Sequence, residues 1–422
     1  MRAVVIGTGP AGITAAETLR HLDPAGSVVA LTSEPFAPYS PPAMADHFLT
    51  GRESTLYWKG PDVAARLGID ERRGAAVDSI DTDSHEVVLG SGDRIAYDAV
   101  VIASGSRLHA PIEGATLPGV LDFKSLRTAA RIVGEVRRGA VGAALIVGAG
   151  FIGVELSLLL AELGVEVTVL EREAWVMPRV LDSDTAEVVG SALAARGVTV
   201  RLGSAVDALL GTGSVSGVRL ASGETLTADL YVAATGVKPH VEFLAGGAVA
   251  ASWGVHVDDR LRTSVAGVYA AGDVAEAADW LTGQRYVHAT FPNAVAQGRV
   301  AGANAAGLDL VYAGAESTNS LKHLGVPVVA IGTMQGADDV LRRRDGTSLC
   351  AVYLRGGRII GAQLAGDLHA AGLYRSLMLR RADVTRFGRR LVERRFSTAD
   401  VVWDAVRPGL PGGGSLVAAG WA

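Results

Sequence analysis

The sequence predicts an α/β fold: two like-built parallel-sheet domains followed by a C-terminal α/β domain. Three observations predict it. A strand, a glycine turn, a helix and a second strand occur together twice, at residues 1–34 and 143–171. Further apolar strands end in small-residue turns at 98–106 and 229–236, and another at 267–273 ends in Gly-Asp. Beyond residue 316 the pattern changes to alternating strands joined by a short glycine turn.

A chain of 422 residues suggests two or three domains. With 49% hydrophobic and 20% charged residues it can bury a core, which excludes a disordered class. No apolar run reaches the roughly 20 residues of a membrane-spanning helix. The longest candidate, 140–154, is broken by glycines and runs into Glu155. Met1 and Arg2 lead straight into a strand, so no secretory leader is expected. Cys350 is the only cysteine, which excludes an intramolecular disulfide, a CxxC pair and a cysteine zinc cluster. That usage fits a reducing cytoplasm, and no metal is expected.

The first device opens with the apolar strand Ala3-Val4-Val5-Ile6 and turns through Gly7-x-Gly9-Pro10-Ala11-Gly12 into a helix near 13–22. Its second strand, SVVALTSE, ends at Glu34. The second device repeats this order. AALIV runs into Gly148-x-Gly150-Phe151-Ile152-Gly153, a helix ends near Leu163, and VEVTVLE ends at Glu171. Each glycine has its own reason. The first makes the tight turn, the second lets backbone approach a pyrophosphate, and the third lets helix and strand pack closely. The helix N-terminus offers N–H groups and a positive dipole end, and the acid accepts from ribose hydroxyls. One such motif is common, but two copies with an acid about 20 residues on specify two Rossmann-like dinucleotide-binding domains.

With the strands that end at Ala103-Ser104-Gly105, at Gly236 and at Gly272-Asp273, the chain resembles the two-dinucleotide flavoproteins, the pyridine nucleotide–disulfide oxidoreductase superfamily. The resemblance implies domains of the three-layer ββα type. An FAD domain at 1–115 and 245–315 is interrupted by an NAD(P)H domain at 116–244, and 316–422 form a C-terminal α/β interface domain with a glycine-rich tail at 408–414. It further implies that the first fingerprint, Glu34 and Ala103–Gly105 hold FAD, with Gly272 and Asp273 at the ribityl or pyrophosphate region. Gly148, Gly150, Phe151, Ile152, Gly153, Glu171, Arg172 and Gly236 would serve NADH or NADPH. Glu171 favours NADH, because a carboxylate repels a 2′-phosphate, whereas Arg172 and Arg179 oppose that preference. Phe291, Pro292 and Asn293, at the start of a helix expected to face the flavin pyrimidine, are candidate flavin contacts. Trp58, Trp175 and His288 have structural roles by default.

The segment Pro38-Tyr-Ser-Pro-Pro-Ala-Met-Ala-Asp46 passes the flavin in this superfamily. Coenzyme A disulfide reductases and NADH oxidases carry a redox cysteine there, and Pro42 stands in its place. Oxygenase-coupled ferredoxin reductases show an arginine and a lysine, the lysine paired to a glutamate that Glu155 matches. Here Pro41 and Asp46 replace the arginine and the lysine, and Glu155 is left as the candidate catalytic residue.

These residues imply an FAD-dependent NAD(P)H oxidoreductase that passes electrons to a ferredoxin-like iron–sulfur protein or a companion subunit. The alternatives are a flavoenzyme acting on a small acceptor and a non-catalytic flavin- and NADH-binding module. From Ser320 on there are fifteen Lys or Arg against eight Asp or Glu, in a chain of net charge −5. Arg342–Arg344 and 375–395 concentrate that charge in the domain lying beside the flavin in this superfamily, so an acidic carrier is the expected partner. A basic face that is merely solvated, or that forms a homodimer contact, is the plainer reading. No nucleic-acid or membrane partner is expected.

Overall fold

The computed structural model describes residues 1–321 and 323–406. The glycine-rich stretch at 408–414 lies outside the described residues. Apolar runs with no polar alternation, such as AVVI and ALIV, suit strands covered on both faces, and they form the centres of two parallel sheets. The first runs in the order Val268–Ala270, Ala99–Ile102, Arg2–Ile6, Ser27–Thr32, Asp70–Arg73. The second runs Val198–Arg201, Glu166–Leu170, Ala143–Val147, Leu230–Ala233, Val120–Leu121. The two orders repeat each other strand for strand at their centres, as the doubled motif requires.

Each parallel sheet has its own three-stranded antiparallel layer. Val77–Asp81, Glu86–Leu89 and Arg94–Ala96 bring Ile80, Val87 and Leu89 into one core with Val100, Ile102, Ala15 and Leu19. Val206–Leu210, Gly217–Leu220 and Thr225–Leu226 bring Leu209, Val218 and Leu220 against Leu145 and Val147. Sheet, antiparallel layer and helix make two ββα Rossmann-like domains. A short antiparallel pair, Ser106–Leu108 with Val237–Pro239, joins them.

The tightest helix packing in this region is between Pro10–Leu22 and Phe291–Ala305. A Cβ on Gly298 would lie 2.2 Å from the Ala11 carbonyl oxygen, and one on Gly302 would lie 2.6 Å from that of Ala15. Small residues let the two backbones touch, which seats the start of the second helix beside the first glycine loop.

Residue contacts divide the chain into two compact units: Met1–Glu173 with Arg196–Glu316, and Ala174–Ala195 with the chain from Ser317 on. The second unit holds a five-stranded antiparallel sheet in the order Thr318–Leu321, Val328–Gly332, Arg358–Ala365, Ser348–Arg355, Asp339–Asp345. Its central hairpin turns at Gly356 and Gly357, both at positive φ (53° and 72°), as the Arg-Gly-Gly-Arg spacing predicts.

This division keeps the two expected nucleotide-binding regions in one unit and assigns one segment differently from the sequence reading. Segment 174–195, expected within the inserted NAD(P)H domain, clusters with the C-terminal unit. Asp182 is the physical reason. It is 8% exposed, and its carboxylate accepts from Arg342 Nη2 (2.7 Å), the Tyr353 hydroxyl (2.6 Å) and the Thr185 N–H (2.8 Å). Its own N–H donates to Gln363 Oε1 (3.0 Å). Burial works against the Asp182 charge, but hydrogen bonds from Arg342 and Tyr353 outweigh it and hold the carboxyl below its ordinary range.

Candidate functional site

In the first glycine loop a Cβ on Gly7 would sit 2.2 Å from the Ala103 carbonyl oxygen, and one on Gly12 would sit 1.8 Å from that of Gly7. Gly7 also has φ +102°, a conformation closed to most side chains. At Gly9 a Cβ would meet nothing within 4 Å. The second loop repeats the pattern. Cβ atoms on Gly148 and Gly153 would lie 2.6 Å and 2.0 Å from the carbonyl oxygens of Ala234 and Gly148, and one on Gly150 would meet nothing. The outer glycines are therefore demanded by protein packing, and the central ones border open space. That is the cradle a pyrophosphate needs.

Both loop helices start without a side-chain cap and without an acid in the first turn. Pro10–Leu22 begins from Gly9, and Phe151–Glu162 begins from Gly150. Their orphan N–H groups and positive ends are left for an external anion. The residues present fit two dinucleotides.

Around the first loop the structure brings together most of the residues expected there. Ala103 is buried against Gly7 and Gly12, while Ser104 donates to the His240 carbonyl (2.8 Å) and Gly105 takes φ +71°. A Cβ on Gly272 would lie 2.8 Å from that of Ala11, so the Gly-Asp turn abuts the loop helix. Asp273 accepts from the Ser106 hydroxyl (2.7 Å), and Lys124 Nζ lies 3.5 Å away. Glu34 accepts from the Tyr39 hydroxyl (2.7 Å), which in turn accepts from the Leu126 N–H (3.1 Å). Burial raises the Glu34 carboxyl, and the Tyr39 bond only partly offsets it.

Tyr39, Ser106, Lys124 and Gln297, which accepts from the Gly272 N–H (2.7 Å), were not legible in the sequence. Apart from Tyr39 and Glu34, five positions apart, the partners lie 25 to 167 positions apart, so no local spacing announces them.

Helix Phe291–Ala305 starts with Phe291 and Pro292 after the N-cap Thr290, whose hydroxyl is buried and unpartnered and makes no cap. The Phe291 ring meets Trp58 edge to face, with centroids 5.0 Å apart. Asn293 departs from expectation. It is 3% exposed, and its amide donates to the Glu316 carbonyl (2.9 Å) and accepts from the Glu316 N–H (3.2 Å). The side chain ties two segments together.

Around the second loop, Glu171 is 7% exposed. One oxygen accepts from the Ala149 N–H inside the glycine loop (2.8 Å), the other from the Glu173 N–H (3.0 Å). Arg172 points outward and pairs with Glu173 (3.1 Å). Gly236 follows the strand Leu230–Ala233 at φ +141° and accepts from the His109 N–H (3.0 Å). Phe151 and Ile152 open the loop helix, and Glu155 lies half-buried one turn on. That helix packs against Met44–Thr50, the helix carrying Asp46. Asp46 accepts from the Thr55 hydroxyl (3.0 Å), and an acid stands in this packing where the ferredoxin reductase pattern has a lysine.

Residues 1–298 match the family described as pyridine nucleotide-disulphide oxidoreductase. The chain belongs to this family. Over 399 residues this oxidoreductase is 29% identical to the NADH-dependent phenylglyoxylate dehydrogenase subunit epsilon of Aromatoleum evansii, covering 92% of this chain and 94% of that one. It is 33% identical to the rubredoxin-NAD(+) reductase of Pseudomonas putida over 73% of this chain and 80% of that one. A crystal structure of a ferredoxin reductase from Rhodopseudomonas palustris superposes with a TM-score of 0.83 at 26% identity, over 91% of this chain and 95% of that one. The protein is an NAD(P)H oxidoreductase with FAD as its flavin. Flavin chemistry supplies the hydride acceptor, and the chain supplies position and electrostatics. Among the described residues no helix is long and apolar enough to cross a membrane.

Pro42 is exposed in the short 3-10 turn Pro41–Ala43 that precedes helix Met44–Thr50. Cys350 lies in the C-terminal unit, 3% exposed on strand Ser348–Arg355, with its sulfur 3.5 Å from the Tyr374 hydroxyl. Burial pushes its thiol up, away from the reactive thiolate.

Two of the arginines expected to form a docking face are spent within their own unit. Arg342 pairs with Asp182 and Asp184 (2.7 and 3.3 Å), and Arg344 pairs with Glu187 (2.8 Å). The charge run is real, but its partners lie 157–160 positions away in sequence on segment 174–195.

Proposed function

We propose that this oxidoreductase carries electrons from NADH through FAD to an iron–sulfur protein or to a companion subunit. In this reading the FAD domain comprises 1–115 and 245–315, with the first glycine loop, Glu34 and Asp273 around FAD. The inserted domain comprises 116–244, with the second loop and Glu171 around NADH. Residues 316–422 form the interface domain, and the site is cytoplasmic, in keeping with a single reduced cysteine.

The observation that carries the reading is the pairing of two intact cradles with no thiol at the flavin segment. Pro42 cannot attack a disulfide, persulfide or peroxide, and Cys350 is buried in another unit. Electrons delivered to the flavin then leave to an outside acceptor. The rubredoxin-NAD(+) reductase relative supports a small iron–sulfur carrier, and the epsilon-subunit relative supports a companion chain. With Arg342 and Arg344 engaged, the exposed arginines between Arg375 and Arg395 are the docking candidates, among them Arg380, Arg389 and Arg395. Docking on them would speed encounter with an acidic carrier and fade gradually as salt shortens the Debye length.

The test is acceptor choice. With NADH as donor, an oxidised rubredoxin or ferredoxin should be reduced at least about tenfold faster than oxygen is consumed, and Arg389→Glu with Arg395→Glu should slow only that step. Rapid oxygen uptake with no preference for the carrier would favour a small-acceptor flavoenzyme instead.

A further inference from the structure

The hairpin of strands Ala275–Ala278 and Arg285–Val287 feeds directly into helix Phe291–Ala305, and its tip encloses a buried network with no part in the electron path above. Asp279, 7% exposed, receives five hydrogen bonds. The Leu281 N–H, Thr282 N–H and Thr282 hydroxyl donate to Oδ1 (3.1, 2.8 and 2.9 Å). The Tyr286 hydroxyl and His288 Nε2 lie on Oδ2 (3.0 and 3.1 Å). Burial opposes a charge on Asp279, but the bonds from His288, Thr282 and Tyr286 hold its carboxyl far below the ordinary range.

His288 is also 7% exposed, and its Nδ1 lies 3.0 Å from the Tyr286 carbonyl oxygen. Both ring nitrogens thus face an oxygen acceptor. Tyr286 stacks on the ring, with centroids 3.9 Å apart and planes 29° apart, and covers it.

A buried polar network is an expensive way to stabilise a fold, since every polar group it buries must be desolvated. Its location suggests a different use. The His288 carbonyl accepts from the Thr290 N–H (2.8 Å), and Thr290 is the N-cap of helix Phe291–Ala305. Asn293, in the first turn, is tied to Glu316, and the neighbouring Ala315 N–H donates to the Ala278 carbonyl (2.8 Å) at the end of the hairpin. Hairpin, His288 and helix start are thus bound into one block. The helix start has no side-chain cap and no acid in its first turn, so its positive end is available to a neighbour.

We propose that His288, fixed by Asp279 and Tyr286, is a positioning residue for the flavin: it holds the positive end of helix Phe291–Ala305 in place and so sets how readily the flavin is reduced. The proposal rests on the reading that FAD lies at the first glycine loop with its pyrimidine edge at this helix. A positive helix end stabilises the anionic reduced form. Loosening it shifts the flavin toward the oxidised form at any given potential.

The experiment is a reference-dye titration of FAD-loaded wild type, His288→Gln and Tyr286→Phe, with thermal melting and NADH KM measured alongside. His288→Gln should raise the oxidised-to-reduced ratio at fixed potential at least about fivefold. Tyr286→Phe, at a 45% exposed residue that keeps the stack, should raise it in the same direction by about twofold. NADH KM should stay within about twofold in both. Because Tyr286→Phe removes a single part-buried hydroxyl, it keeps the test alive if His288→Gln does not fold. Lowered melting temperatures with an unchanged ratio would make the network purely structural and overturn the proposal. Wild-type protein that takes up no FAD would instead defeat the reading on which it rests.

Discussion

The two glycine loops share their geometry and differ in what their acids do. Glu34 is half-buried and is held by one side chain, Tyr39. Glu171 is buried, and each of its oxygens takes a backbone N–H, one of them inside the loop it follows. The first acid is fixed by a neighbour and keeps an oxygen to offer. The second is a brace of its own loop first, and can meet a ribose only through a remaining lone pair. The same sequence signature thus covers two degrees of commitment, and the second loop depends more on its acid.

The largest effect that could break this comparison comes from the packing glycines. Gly12→Ala and Gly153→Ala each place a Cβ about 2 Å from a carbonyl oxygen in a helix–strand contact. Each should cost several kcal/mol, in the range of about 3–5 reached only by severe packing defects. Thermal melting would show it, and a loss below about 1 kcal/mol would mean that the loops are looser than they look.

Next in size is the acid. Replacing Glu171 with Ala leaves the buried Ala149 N–H without an acceptor, at about 1–3 kcal/mol, and frees the part-buried Glu173 N–H at less cost. It should weaken NADH and narrow the preference over NADPH, since the charge that repels a 2′-phosphate is gone. Glu34→Ala should destabilise less and leave NADH KM unchanged. Steady-state kinetics with both nucleotides check this, and equal destabilisation by the two substitutions would erase the distinction.

A pH test sharpens it from the other side. Burial raises the Glu34 pKa, so its ionised form is a liability in the folded state. That liability is absent below the unfolded glutamate value of about 4.3, grows as pH rises through the folded value, and is complete above it. Asp182 in the C-terminal unit has the opposite sign. Its lowered pKa stabilises the fold above the unfolded aspartate value of about 3.9, and that contribution fades as pH falls through the folded value. Asp182→Asn should therefore lose stability at pH near 7, with the gap to wild type closing in acid. Glu34→Gln should gain slightly at pH near 7 and show no gain in acid. Melting curves at the two pH values decide both.

The smallest effect concerns the lone thiol. Cys350→Ser should leave flavin reduction by NADH unchanged, and wild type should show no long-wavelength thiolate–flavin band. A band that disappears with the substitution would place the cysteine at the flavin.

What the sequence made legible follows from range. Gly7, Gly12, Gly148 and Gly153 act on residues within a few positions or on the next strand of a repeated unit, so a spacing rule finds them. The Arg-Gly-Gly-Arg hairpin is local in the same sense. Asp273 with Ser106, Asp182 with Tyr353, and Arg344 with Glu187 are pairs set by tertiary folding across 157–171 positions. A charge run read in isolation therefore looked like a docking face, when two of its members were bolts within their own unit. The bonds of Asn293 to Glu316, 23 positions on, were hidden for a related reason, because its place at a helix start does not announce them.

The division of labour between the loops is tested most directly by anaerobic stopped-flow reduction of wild type, Gly9→Ala and Gly150→Ala by NADH. Both central glycines border open space at ordinary negative φ (−63° and −78°), so an alanine there should leave the apoprotein melting temperature unchanged. The account predicts that Gly150→Ala keeps its full complement of FAD while the NADH concentration for half-maximal reduction rises at least about tenfold, about 1.4 kcal/mol of binding. Gly9→Ala should lose FAD instead. Loss of FAD from Gly150→Ala, or wild-type NADH saturation in that variant, would contradict it.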